Sequence, residues 1–158
     1  VTGERPDAPT RPAHHQPLLL LAVALGGLLG APARYAVGRW LPTPAHGWPT
    51  ATFLVNLVGA FLLGLLLEAL ARRGPDVGGR RVLRLFAGTG FCGALTTYST
   101  LAVEVDLLAD ADRWATAAAY GLVSVVAGLG TAAAGIAVGG RLHRPRRRRV
   151  GTTTEDTR

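Results

Sequence analysis

Apolar residues in this chain neither alternate with polar ones, as on a half-buried strand, nor gather on one stripe of a helix. They run on unbroken. Four windows carry no Asp, Glu, Lys or Arg: 17–33, 40–67, 85–103 and 114–140. Each can hold a helix of about 17 to 25 apolar residues, the length that crosses a hydrocarbon core of about 30 Å. A soluble bundle would place polar residues on the outward stripe of every helix, and these windows are apolar or small all the way round. The pattern predicts an all-α membrane protein with four transmembrane helices, near 18–39, 49–72, 82–103 and 114–140.

The third window is the exception within the pattern. It carries Gly88, Gly90 and Gly93 and then five successive hydroxyl-bearing residues, Thr96, Thr97, Tyr98, Ser99 and Thr100. Glycine weakens a helix interior by about 1 kcal/mol relative to alanine, and hydroxyls can bond nearby backbone carbonyls and stabilise an interruption. Irregular backbone at bilayer depth survives only where protein buries it or where it lines a polar site. A discontinuous third helix is expected, its freed carbonyls being hard ligands suited to a cation such as sodium. A continuous glycine-rich packing helix is the alternative.

Polar side chains also mark the other helices. In the second, Thr52, Asn56 and Gly59 share a face at i, i+4 and i+7. The Asn56 amide has two N–H donors that could meet an anion, or it could serve a helix-to-helix hydrogen bond. In the fourth, Tyr120, Ser124 and Gly128 repeat every four residues, with Thr116 a turn earlier. Arg34 and Tyr35 close the apolar part of the first helix, where Arg34 could snorkel to the interface or attract anions into a vestibule. Trp40 and Trp48 suit an aromatic belt. Glu68, Glu104, Asp106, Asp110 and Asp112 are expected at helix ends or in loops.

The net charge is +7, and all 17 basic residues are arginine. All except Arg34, Arg39 and Arg113 fall on the side holding both termini and the second loop, which predicts cytoplasmic termini. Residues 1–16 and 141–158 flank the 17–140 helical domain as polar segments too poor in apolar side chains to pack, and are expected to be mobile. The arginine block at 146–149 reads as a stop-transfer flank rather than a nucleic-acid contact. The one cysteine, Cys92, cannot form an intrachain disulfide. Ala31-Pro32-Ala33 loosely resembles a signal-peptide cleavage site, a competing reading of the first window. No nucleotide-binding or catalytic pattern occurs, so an enzyme is not expected.

Three motifs carry a resemblance: Gly27-Leu28-Leu29-Gly30-Ala31-Pro32-Ala33-Arg34-Tyr35, Thr52-Phe53-Leu54-Val55-Asn56-Leu57-Val58-Gly59, and the run from Gly90 to Leu101. Together they resemble the CrcB/Fluc fluoride channels over about 17–140. The resemblance implies a passive, fluoride-selective channel in the cell membrane, a dimer of antiparallel four-helix subunits with two pores and a central structural sodium. It further implies an Asn56 hydrogen bond to fluoride and backbone carbonyls of Gly93 and Thr96 on the sodium. Thr52, Tyr120, Ser124 and Glu104 would lie along or beside the ion path, with Arg34 near a vestibule.

Two departures accompany the resemblance. The family places two phenylalanines on the broken helix, three residues apart, and this chain has Tyr98 and Leu101 there. Tyr98 keeps an aromatic edge and adds a hydroxyl, whereas Leu101 offers neither. The family's dual topology also goes with weak arginine bias, which this chain lacks. Both point to a fixed orientation and an oppositely inserted homologous partner, a heterodimer, with an antiparallel homodimer as the alternative. A pore-silent structural subunit is one competing reading. A small multidrug transporter is another, though its coupling needs a carboxylate in the first helix, where this chain has none.

Overall fold

The computed structural model describes residues 16–43 and 47–142. Among these, every regular element is helical: α1 (Pro17–Trp40), α2 (Thr50–Ala71), α3 (Gly79–Leu83), a π-helix (Arg84–Cys92), α4 (Gly93–Leu95), α5 (Tyr98–Asp110) and α6 (Trp114–Leu142). The helices α1, α2 and α6 are long and apolar enough to cross a membrane. They coincide with the first, second and fourth charge-free windows. The third window is divided among shorter pieces, so no single helix there reaches spanning length. The expectations for the two tails, including the 146–149 arginines, fall largely outside the described residues.

The long helices bury little of their own surface. Leu21, Leu25 and Leu28 on α1 and Leu122, Val126 and Leu129 on α6 are all exposed, an apolar exterior that suits lipid or a protein neighbour rather than water. This is the exterior of a multi-pass membrane protein. Without a hydrophobic drive between helices, close packing must come from small residues. A Cβ on Gly26 would enter the space of the Phe86 carbonyl and lie 2.9 Å from the Gly90 Cα. The α1 and π-helix backbones therefore touch, and the α2–α6 contact is closed similarly by Gly64 and Gly135.

The loop between α2 and α3 is held by arginines. Arg80 donates to the Pro75 and Arg73 carbonyls, and Arg84 pairs with Asp76. The Arg84 guanidinium holds the Asp76 carboxyl below the usual carboxylate range. Gly74 and Gly78, at φ 112° and 56°, supply the left-handed backbone that brings the chain round into α3.

At the other end of the molecule, Leu108 on α5 and Ala117 and Tyr120 on α6 form a small buried cluster. Trp48 packs into it, edge-on to both Phe53 and Tyr120 at 5.7 and 5.2 Å. It is half-buried, with its ring turned inward onto this cluster. Trp40 is the one that stands out, 82% exposed at the end of α1.

Candidate functional site

The helix that begins at Gly79 stops at Leu95. Thr96 and Thr97 adopt extended backbone, with ψ near 156° and 125°, and helix resumes at Tyr98. The cause lies 41 residues away, on α2. The Asn56 amide donates from Nδ2 to the Thr97 carbonyl at 3.0 Å, and its Oδ1 accepts from the Thr97 N–H at 2.8 Å. One side chain thus satisfies both backbone polar groups of the buried Thr97, and the amide keeps one further N–H.

The same exchange releases two carbonyls. In a continued helix Thr97 N–H would donate to Gly93 O and Thr100 N–H to Thr96 O. Thr97 N–H goes to Asn56 instead, and Thr100 N–H goes to Thr97 Oγ1 at 3.2 Å, capping α5. The Thr96 side chain turns back to donate to Cys92 O at 2.9 Å, leaving its own carbonyl uninvolved. Among the described residues no group of three or more His, Cys, Asp or Glu gathers that could hold a metal. The donor set here is carbonyl oxygen, a hard ligand type.

Around the interruption lies an open groove of about 460 Å³ that brings together Asn56, Gly93, Thr96, Tyr98, Leu101 and Ser124. Six of the residues singled out in the sequence thus meet on one surface from α2, α4, α5 and α6. Ser124 is the sharpest feature. It is 8% exposed, and its Oγ is buried with no hydrogen-bond partner. An orphaned hydroxyl of this kind costs free energy unless something outside the described residues meets it. Tyr98 is 80% exposed, its ring facing away from this chain's own core.

A second cluster adjoins the first. Glu104 accepts from Thr52 Oγ1 at 2.7 Å and from Tyr120 OH at 2.6 Å. Tyr120 is fully buried. This corrects the expectation that Glu104 sits at a helix end or in a loop: α5 begins only at Tyr98, so Glu104 lies mid-helix, partly buried and doubly hydrogen-bonded. The multidrug-transporter alternative does not gain by this, because the carboxylate is on α5 and not in the first helix. Arg34 is partly buried and lines a pocket of about 310 Å³ with Thr52, Thr97 and Thr100. Thr52 and Thr97 thereby connect the Arg34 pocket to both clusters.

Sequence reasoning named these residues but did not pair Asn56 with Thr97 or Glu104 with Tyr120. It also missed the π-helix. Nothing in composition distinguishes an i→i+5 register from an α-helical one, although Gly90 permits the close approach to α1 that accompanies it.

The family described as CrcB-like protein, Camphor Resistance (CrcB), matches residues 21–136, which hold both clusters and the interruption between them. The chain belongs to this family. Among CrcB-like relatives, it is 44% identical over 128 residues to fluoride-specific ion channel FluC 2 of Leifsonia xyli subsp. xyli, covering 81% of this chain and 88% of that one. It is 46% identical over 113 residues to FluC 1 of Cutibacterium acnes, covering 72% and 79%. Against FluC of Bordetella petrii it is 44% identical over 121 residues, covering 77% and 91%. Each alignment covers 79% or more of the relative, so the likeness is not to a single shared helix.

Proposed function

We propose that this chain is a passive, fluoride-selective ion channel or channel subunit that lets cytoplasmic fluoride leave the cell and so lowers its toxicity. Its work is conduction, not catalysis. The observation that carries this reading is the Asn56–Thr97 pairing, which opens the backbone beside a groove holding the orphaned Ser124 hydroxyl. The names of the relatives point to the same ion.

Fluoride is small and strongly hydrated, so a pore must offset a large dehydration cost with donors fixed in place. The remaining Asn56 N–H, the Ser124 hydroxyl and the exposed Tyr98 edge and hydroxyl are such donors. Thr52, Tyr120 and Glu104 lie beside that route, and Arg34 raises the local anion concentration at a vestibule. A sodium ion held by the Gly93 and Thr96 carbonyls would lock the broken third span and add positive charge near the path. That span, counting α3 to α5 as one discontinuous crossing, makes four.

Two released carbonyls are too few for a sodium shell, which supports an antiparallel dimer in which a second subunit supplies the rest. The arginine bias supports a fixed orientation with cytoplasmic termini, and hence a homologous partner inserted the other way. Leu101 in the groove favours a second reading, in which this subunit's own pore is silent and its partner conducts.

The test is fluoride efflux from liposomes holding the purified chain alone, repeated with a co-expressed homologue. Flux only in the mixed preparation supports the heterodimer, and robust flux from the lone chain overturns the need for a partner. In mixed dimers, an Asn56→Ala change confined to this subunit separates a conducting subunit from a silent one.

A further inference from the structure

Where α1 begins, its first turn, the α2–α3 loop and α3 enclose an open groove of about 630 Å³, lined by Leu18, Leu19, Val77, Gly78, Val82 and Arg81 among others. It shares no residue with the Asn56 groove. The segment 72–84 carries five arginines and one aspartate. Three of those arginines are committed: Arg72 to Glu68, Arg84 to Asp76, and Arg80 to the Pro75 and Arg73 carbonyls.

Arg81 is different. It is partly buried, its side chain makes no hydrogen bond or ion pair among the described residues, and it meets Asp76 only through the field between them. A guanidinium beside an apolar groove, next to the first turn of the membrane-length α1, sits where a bilayer's phosphates meet its acyl chains.

We infer that this groove is a binding site for an anionic phospholipid, with Arg81 on the phosphate and an acyl chain laid against Leu18, Val77 and Val82. A guanidinium matches a phosphate in charge and in its fork of donors. A volume of this size is ample for a headgroup and the first part of the chains. The excess of arginine over acid in segment 72–84 selects a headgroup of net negative charge over a zwitterionic one. The occupant would tie the loop and the start of α1 to the membrane surface, independently of what the Asn56 groove conducts.

The full chain in detergent is titrated with dioleoylphosphatidylglycerol or dioleoylphosphatidylcholine, and bound lipid is counted by native mass spectrometry. Phosphatidylglycerol is expected to bind one per chain, well ahead of phosphatidylcholine. Arg81→Gln should weaken it about tenfold, while Arg141→Gln, an equal charge loss at an exposed position outside the groove, leaves it unchanged. Val77→Trp keeps the charge but fills the groove and should also expel the lipid, which decides the matter if Arg81→Gln fails to fold. Equal binding of the two lipids, equal loss in the two arginine variants, or displacement of the lipid by inorganic phosphate would overturn the proposal.

Discussion

Replacing Asn56 by alanine removes two hydrogen bonds at once, those of 3.0 and 2.8 Å to the Thr97 carbonyl and N–H. Polar pairs between membrane helices average only about 0.6 kcal/mol, so two would cost little more than about 1 kcal/mol if the freed groups found other partners. Thr97 is buried, however, and its peptide groups have no replacement on α2, where Val55 and Gly59 flank the site. Leaving a buried donor or acceptor unsatisfied costs about 1–3 kcal/mol each, which puts the pair near 3 kcal/mol or more. That is a shift of about 150-fold in the population of the open backbone.

Thermal unfolding in detergent and fluoride-electrode efflux from liposomes, on the same preparation, read the two consequences. Asn56→Ala should lower the unfolding midpoint by several degrees and reduce flux by at least a hundredfold in an assembly where this subunit conducts. Asn56→Asp keeps an acceptor for the Thr97 N–H but loses the donor and adds a negative charge, so flux should fall further than stability does. An alanine variant with an unmoved midpoint and flux within twofold of the parent would refute the reasoning.

Other expected outcomes are as follows. Ser124→Ala should leave the unfolding midpoint unchanged or raised, since its hydroxyl has no hydrogen-bond partner among the described residues, while flux falls more than tenfold; a clear loss of stability would show the hydroxyl is structural. Gly26→Ala should cost about 1–3 kcal/mol by driving α1 off the π-helix, whereas Gly27→Ala, whose Cβ would meet Ala94 at 4.0 Å, should be tolerated; size-exclusion profiles separate the two. Tyr120→Phe removes a hydrogen bond to Glu104 and should cost about 1–2 kcal/mol in thermal unfolding, with an unchanged midpoint contradicting the pairing. The Asp76 carboxyl is held below its ordinary value of 3.8 by Arg84, so the pair contributes fully above that value and is lost as pH falls through the lower folded one. Amide exchange over 74–84 should therefore quicken below about pH 4 in the parent and show no such step in Asp76→Asn.

Much of the helical layout was legible because the bilayer imposes a length. A run without charge long enough to cross it has few alternatives, and α1, α2 and α6 begin and end within a few residues of where the apolar windows place them. The site was legible as residue types but not as pairs. A lone asparagine at bilayer depth announces that it needs a partner, yet nothing local says that the partner is the Thr97 peptide. Glu104 was misplaced for a related reason: its depth depends on where α5 restarts, which the Asn56 contact and the Thr97 cap decide together. Trp48 was legible as an aromatic near a helix end, but its edge contact with the buried Tyr120 was not, because the two are 72 residues apart. The π-helix left no trace in the pattern, because the same residues serve either register and only packing against α1 chooses between them.

The central claim is selective conduction of fluoride, and an ion-replacement flux assay tests it most directly. Liposomes carrying the chain, alone and with its co-expressed homologue, are loaded with potassium fluoride or potassium chloride, and release is started with valinomycin. Fluoride should leave within seconds to minutes in at least one preparation, driven only by its gradient, while chloride stays inside. Comparable release of chloride, or retention of fluoride in both preparations, would contradict the account.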